Sequence, residues 1–172
     1  WAGSTLSELI GRFGAELLGK ANYARFGQEF PLLVKFIDAR EDLSIQVHPD
    51  DELARKRHGK SGKCEMWYVL EAEPGASLLT GFSRPIAPAE YERRVADNTL
   101  TDVLNRQAIA SGDVFYLPAG RVHSIGKGSF IVEIQQSSDI TYRIYDFDRR
   151  DAAGNSRELH TELAREAIDF ES

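Results

Sequence analysis

The chain has 172 residues, of which 42% are apolar and 28% charged, and its formal net charge is -6. That length suits one domain with a core of its own, and the acidic balance argues against broad nucleic-acid binding. No apolar run approaches the roughly 20 residues of a membrane-spanning helix. The single Cys64 cannot form an internal disulfide, which favours a reducing compartment and predicts a cytoplasmic protein.

Local patterns predict helices near both ends and many short strands between them. Thr5 and Glu8 fit a capping box before a helix that would stop near Gly19. The strands on either side of Pro74-Gly75 are predicted to form a hairpin. Short strands with Gly/Pro turns are typical of a sandwich or barrel. The other expected elements are strands at 31–38, 43–48, 63–70, 77–82, 114–117, 122–125, 129–136 and 140–145, a short helix through Arg57 ended by Gly59, a largely helical insert at 85–107, and a closing helix at 158–170.

Gln46 and His48 stand out in the strand at 43–48, where they alternate with apolar Ile45 and Val47. Because strand side chains alternate between faces, Gln46 and His48 are predicted to share one face. A polar pair on a buried face needs partners, since uncompensated burial of an amide or imidazole is costly. A metal ion is one such partner.

The second half of the chain contains Gly112, five residues, and then Pro118-Ala119-Gly120-Arg121-Val122-His123. This matches the second conserved motif of the cupin superfamily, whose His is a metal ligand. The first cupin motif is less faithful, because its usual His-x-His becomes Gln46-Val47-His48 and its Glu arrives late, at Glu65. Lys127 stands where an Asn is often found.

These departures are themselves typical of one family, since the chain resembles type I phosphomannose isomerase. The resemblance implies a mainly β fold, a cupin jelly-roll β-sandwich with peripheral helices and a helical insert, as one catalytic domain over residues 1–172. Family members usually have a further segment of the sandwich before the position of Trp1, and many have a second cupin-like domain after the closing helix. We expect this segment and this domain to be absent here, so the chain could be a fragment, a truncated form or a short homologue. The matching segments are Gln-Val-His-Pro-Asp-Asp (46–51), Gly-Lys-x-Glu-Met-Trp-Tyr (62–68), Pro-Ala-Gly-x-Val-His (118–123), Thr-Tyr-Arg-Ile-Tyr-Asp (141–146) and Arg-Glu-Leu-His-Thr-Glu-Leu (157–163).

The resemblance implies one zinc, or a similar divalent transition metal, per chain. Its ligands would be Gln46, His48, Glu65 and His123. Two imidazoles, a carboxylate and an amide oxygen suit such a metal and can leave a position open for water or substrate. The alternatives to metal ligation are structural: His48 could be a hydrogen-bonded core histidine, and Glu65 could form an ion pair with Lys63.

A second group, Lys63, Glu133 and Arg143, carries the charges expected at the substrate. The resemblance places Lys63 and Arg143 in the pocket, where they would stabilise developing charge or bind phosphate. Glu133 is the candidate general acid/base. The alternative is ordinary surface charge. Weaker candidates are Asp139, Arg121 and His160, of which His160 is expected to be structural.

The implied function is reversible isomerisation of mannose 6-phosphate and fructose 6-phosphate. The expected partner is therefore a small phosphosugar, with no nucleic acid and no membrane. Two other classes stay open at this point. One is a different metal-dependent cupin enzyme, such as an iron oxygenase, and the other is a non-catalytic sugar-binding or regulatory cupin.

Overall fold

The structure, a computed structural model, describes residues 1–171. Short helices lead into strands, a helical segment interrupts them, and one more helix follows the last strand. The elements are α1 (Leu6–Phe13), α2 (Ala15–Leu18), α3 (Lys20–Phe26), β1 (Leu32–Ala39), β2 (Ile45–Val47), α4 (Asp51–His58), β3 (Glu65–Ala72), β4 (Ser77–Phe82), α5 (Pro88–Ala96), a 3-10 helix (Leu100–Val103), β5 (Leu104–Ala108), β6 (Val114–Leu117), β7 (His123–Ile125), β8 (Ser129–Gln136), β9 (Tyr142–Tyr145) and α6 (Thr161–Ala167).

The strands form two sheets, one in the order β1-β8-β3-β6 and the other in the order β5-β4-β7-β2-β9. Neighbouring strands are antiparallel in both sheets. This confirms the predicted mainly β, cupin-type sandwich with peripheral helices. One core cluster, which includes Trp67, Val69, Leu78 and Ile131, joins side chains from both sheets.

A second core cluster includes residues of the five-stranded sheet and of the helices. Ile45, Val47 and Ile144 are at most 1% exposed and belong to a cluster that contains Ala54 of α4 and Ala164 of α6. These strand residues alternate with Gln46 and Arg143, so the helices cover one face of this sheet and leave its polar face inward. No helix within residues 1–171 has the length and hydropathy needed to cross a membrane.

Several local predictions are confirmed. Thr5 caps α1, with the reciprocal contact from Glu8 in place. Asp50 caps α4, and Gly59 ends it in the left-handed conformation that the absence of a Cβ makes cheap. The strands at 77–82, 114–117 and 129–136 have the predicted bounds.

The predicted hairpin around Pro74-Gly75 is wrong. β3 pairs with β6 and β8, whereas β4 pairs with β5 and β7, so the turn carries the chain from one sheet to the other. A turn signal marks a reversal of direction but does not say which strands will share hydrogen bonds.

Several strand bounds differ by one or two residues from prediction, and three segments differ more. The insert is helical at α5 and the 3-10 helix, but residues 104–108 form β5, because they complete the edge of the sheet beside β4. The first helix breaks at Gly14, whose φ is 47°, before the predicted stop at Gly19. The closing helix covers only Thr161–Ala167.

Candidate metal centre and substrate site

Three potential metal ligands meet between the two sheets. The five-stranded sheet supplies His48, directly after β2, and His123 of β7, whose ladder partner is Gln46. The four-stranded sheet supplies Glu65, the first residue of β3. His48, Glu65 and His123 are at most 2% exposed. One potential ligand atom from each lies within 4.8 Å of the other two.

Both histidines use their Nδ1 atoms outside this cluster. His48 Nδ1 lies 2.9 Å from the carbonyl oxygen of Ile140, and His123 Nδ1 lies 2.8 Å from that of Arg121. Because a carbonyl only accepts, each Nδ1 carries the proton and donates it. A neutral ring then presents its Nε2 lone pair to the cluster, which is the tautomer a metal ligand needs.

Glu65 faces these Nε2 atoms. Its Oε1 lies 3.1 Å from His123 Nε2 and its Oε2 lies 3.5 Å from His48 Nε2. Despite this closeness, neither oxygen makes a well-directed hydrogen bond within residues 1–171. A buried carboxylate facing lone pairs is costly unless a cation lies between them. The donor set therefore fits a borderline divalent metal.

The protonation states also suit ligation. Burial lowers the pKa of His48 to about 4, so that its imidazole is neutral at pH 7. Burial alone would raise the pKa of Glu65, but its close contacts with His123 and His48 outweigh burial and lower the pKa far below its ordinary range. An ionised carboxylate beside a neutral imidazole is ready to bind a metal without first losing a proton.

Gln46 lies at the edge of the cluster. Its Nε2 is 3.4 Å from His123 Nε2, and its Oε1 is 3.5 Å from Ser44 Oγ. The two ends of an amide group exchange by a half-turn and are assigned from the surrounding hydrogen bonds. The half-turn would present an oxygen, so Gln46 can serve as the fourth ligand that the resemblance implies.

Lys63 lies against the same cluster. Its Nζ is 2.9 Å from His48 Nε2 and 2.8 Å from Glu65 Oε2, and the residue is 4% exposed. The ion pair with Glu65, the structural alternative to ligation, is therefore present. It also shows that the ligand atoms converge on a position that favours positive charge.

Glu133 lies on β8, opposite Trp67 of β3 and Lys35 of β1. Trp67 Nε1 donates to Glu133 Oε2 at 3.1 Å, and Lys35 Nζ donates to Glu133 Oε1 at 2.9 Å. The Trp67 indole is also edge-on to the His123 ring, with centroids 5.4 Å apart. Glu133 is thus buried, ionically paired and linked to the cluster through one side chain.

Sequence analysis missed Lys35. A single lysine in a strand candidate has the pattern of ordinary surface charge, so nothing marked it. The available signal was its spacing of two residues from Ile37 and Ala39, which places Lys35 on the same face of the strand as these two residues of the core between the sheets.

Arg143 lies on β9, opposite Gln46 on β2. Its Nη1 donates to the carbonyl of Glu158 at 2.9 Å, and its Nε is buried without a partner in the described chain. His160 holds the strand from outside, since its Nδ1 accepts the Arg143 N–H at 3.2 Å and its own N–H donates to the Arg143 carbonyl at 2.7 Å. His160 therefore has the expected structural contacts, although it precedes α6 rather than lying within it.

Two other polar residues, the candidate Asp139 and the helix-ending His58, lie apart from the cluster. Asp139 is exposed and pairs with Lys60 at 2.9 Å. His58 ends α4, and its Nε2 lies 2.8 Å from the Tyr142 hydroxyl.

Fold and site together define a cupin-type sandwich with a buried His-Glu-His cluster that could hold a metal ion. Residues 3–83 match the family model described as phosphomannose isomerase type I, catalytic domain. The chain is thus similar to the type I phosphomannose isomerase family, and an alignment over its full length with a named relative extends the similarity beyond residue 83.

Among curated proteins, the chain is 41% identical over 173 residues to mannose-6-phosphate isomerase ManA of Bacillus subtilis, covering 100% of this chain and 53% of that protein. It is 44% identical over 139 residues to the mannose-6-phosphate isomerase of Streptococcus mutans, covering 81% and 44%. The crystal structure of the Bacillus subtilis mannose 6-phosphate isomerase superimposes with a TM-score of 0.88 at 38% identity, covering 97% of this chain and 52% of that one. The chain thus spans about half the length of these relatives.

Proposed function

We propose that this protein interconverts mannose 6-phosphate and fructose 6-phosphate. The observation that carries the proposal is the convergence of His48, Glu65 and His123 from two sheets, with both imidazoles in the ligating tautomer. The names of the relatives support the substrate. Gln46, His48, Glu65 and His123 are the proposed ligands of one zinc or similar divalent ion.

The reaction moves a proton between carbons 2 and 1 of the sugar through a cis-enediol. When bound, the metal supplies a Lewis acid that polarises the oxygens on these carbons. Lys63, at His48 and Glu65, and Arg143, opposite Gln46 on the neighbouring strand, supply fixed positive charge for the developing enediolate. Lys63 is the closer of the two to the metal ligands, since its ammonium contacts His48 and Glu65.

Glu133 is the proposed group that takes and returns the proton. Its carboxylate is 3% exposed and is oriented by Trp67 and Lys35. Such fixed orientation favours proton transfer at a defined atom of a bound sugar. The single Cys64 supports a reducing compartment such as the cytoplasm as the place of action.

A coupled isomerase assay on metal-loaded protein with mannose 6-phosphate tests the proposal. We expect turnover that EDTA abolishes and added metal restores, whereas metal-loaded His58→Ala should turn over like the parent. A fully metallated parent that leaves mannose 6-phosphate unchanged would refute the isomerase and favour the sugar-binding class. Oxygen consumption with the same protein would instead favour an oxygenase.

A further inference from the structure

Arg121 lies in the segment that leads into β7, and its backbone carbonyl is 2.8 Å from Nδ1 of the proposed ligand His123. It precedes His123 by two residues, and the intervening Val122 is buried in the core under the helices. Alternation therefore directs Arg121 to the same side as His123. The preceding residue, Gly120, donates its backbone N–H to the His48 carbonyl at 2.9 Å, so the chain at Arg121 runs beside both proposed histidine ligands.

The guanidinium of Arg121 contains a buried nitrogen, Nε, that makes no hydrogen bond within residues 1–171. A half-buried, permanently charged group without a partner is costly. Such a group next to a ligand site points to an anion supplied by the ligand.

The other cations near the cluster are already engaged. Lys63 contacts His48 and Glu65, and Lys35 contacts Glu133 and Gln135. Arg143 donates to the Glu158 carbonyl. Arg121 differs from these three because its side chain has no such contact to give up when an anion arrives.

We propose that Arg121 binds the phosphate group of the substrate and so sets the preference for phosphorylated sugars. This rests on the proposed function, which it deepens by naming the residue that recognises the phosphate. The phosphate lies at the far end of a six-carbon chain from the carbons that exchange the proton, so its partner has to reach away from the metal ligands. Arg121 has the length, and its planar fork can donate two parallel N–H groups to phosphate oxygens.

The test compares Arg121→Ala and Arg121→Lys with the parent, using Arg106→Ala as a matched control. Arg106 extends from the five-stranded sheet and is an exposed residue whose Nη1 donates to Ser77 Oγ on the neighbouring strand. Each metal-loaded protein is assayed with mannose 6-phosphate and with unphosphorylated mannose, and its metal content and melting curve are recorded. Inorganic phosphate binding is measured by calorimetry on the same preparations.

We expect Arg121→Ala to lower kcat/KM for mannose 6-phosphate by about 10- to 100-fold, chiefly through KM, because the lost contact is made equally before and during the reaction. Activity on mannose and metal content should stay at the parent's values, and the melting temperature should not fall. Arg121→Lys should recover part of the preference, since it keeps the charge and loses the fork.

Equal loss on both sugars would overturn the proposal, because it would mark Arg121 as a positioning or structural residue. Unchanged kinetics and unchanged phosphate binding would overturn it as well. If the parent turns over neither sugar, the proposed isomerase fails, but phosphate binding by the parent that Arg121→Ala weakens at least tenfold still supports an anion site. A parent that binds no phosphate and shows no preference would refute that site.

Discussion

The two sheets of this sandwich differ in what covers them. The five-stranded sheet has a helix-covered apolar core on one face and the polar cluster on the other. Among the described residues, the outer face of the four-stranded sheet exposes Val34 by 50%, Phe36 by 70% and Tyr116 by 63%. The sheet that supplies His48 and His123 is thus fixed on both sides, while the sheet that supplies Glu65 is fixed on one. The candidate metal centre therefore lies between a sheet packed on both faces and a sheet packed on one face.

If both sheets are needed, removing a ligand from either should abolish metal binding. We expect His123→Ala and Glu65→Ala each to lose the bound divalent ion and nearly all isomerase activity, because each change removes one of the few strong donors that hold the ion. Elemental analysis after dialysis, with a melting curve to confirm folding, provides the measurement. His58→Ala, the exposed histidine that ends α4, is the control. Full metal content in both ligand variants would show that the ion is not bound at this position.

The second expectation concerns the positive charges of Arg143 and Lys63. Arg143→Ala should keep metal and fold but lose at least roughly a hundredfold in kcat, the scale for one preorganised charge-stabilising donor. Lys63→Ala should also lower kcat, because its ammonium lies at the ligand atoms where the enediolate forms. Steady-state kinetics on preparations of equal metal content compare them. If Lys63→Ala raises only KM, Lys63 would be assigned to phosphate binding instead. The sequence analysis left that role open for Lys63.

The five-stranded sheet, which carries most of the proposed ligands, was also predicted best from the sequence. Gln46 and His48 alternate with buried apolar residues, so the two-residue periodicity of polar and apolar side chains was enough to predict the strand and its polar face. The assignment of the four ligands came from the family resemblance, because single histidines and glutamates have no local signature. Lys35 was not predicted for the same reason, because a single lysine has no local signature either.

Sheet partnership could not be predicted. The strands at 77–82 and 129–136 had correct bounds because alternation and turn residues are local. The crossing at Pro74-Gly75 and the strand at 104–108 depend on which neighbour offers free hydrogen-bonding groups, which only the assembled sheets decide. The inward position of Glu133 likewise follows from its register with Trp67 and Lys35.

Matched valine substitutions sharpen the comparison of the two outer faces. Val47 is 0% exposed under the helices, whereas Val34 is 50% exposed on the four-stranded sheet. Val47→Ala should therefore lower the free energy of unfolding by about 2–3 kcal/mol, and Val34→Ala by no more than about 0.5 kcal/mol. Urea titration of EDTA-treated protein separates packing from metal binding. A comparable loss at both positions would mean that the outer face of the four-stranded sheet is covered in solution.

The last expectation concerns Asp146, which follows β9 at the edge of the five-stranded sheet. Arg157 Nε donates to its Oδ2 at 2.7 Å, and Arg149 donates to its Oδ1, while the Asp146 side chain is only 6% exposed. Burial alone would raise the pKa of Asp146, but the two arginines lower it below its ordinary value. A carboxylate with a lowered folded pKa contributes stability above its unfolded pKa of about 3.9 and loses that contribution as pH falls through the folded value.

Asp146→Asn should accordingly be about 1–3 kcal/mol less stable than the parent at pH 7. The gap should stay constant down to about pH 4 and narrow below it, because the parent alone loses the ion pairs there. Urea titrations at pH 7, 5 and 3 measure the gap, with Asn in place of the exposed Asp97 as the control. A gap that does not change between pH 7 and pH 3 would show that the amide loses packing rather than charge. Asp146 would then hold the edge of the sheet by shape alone.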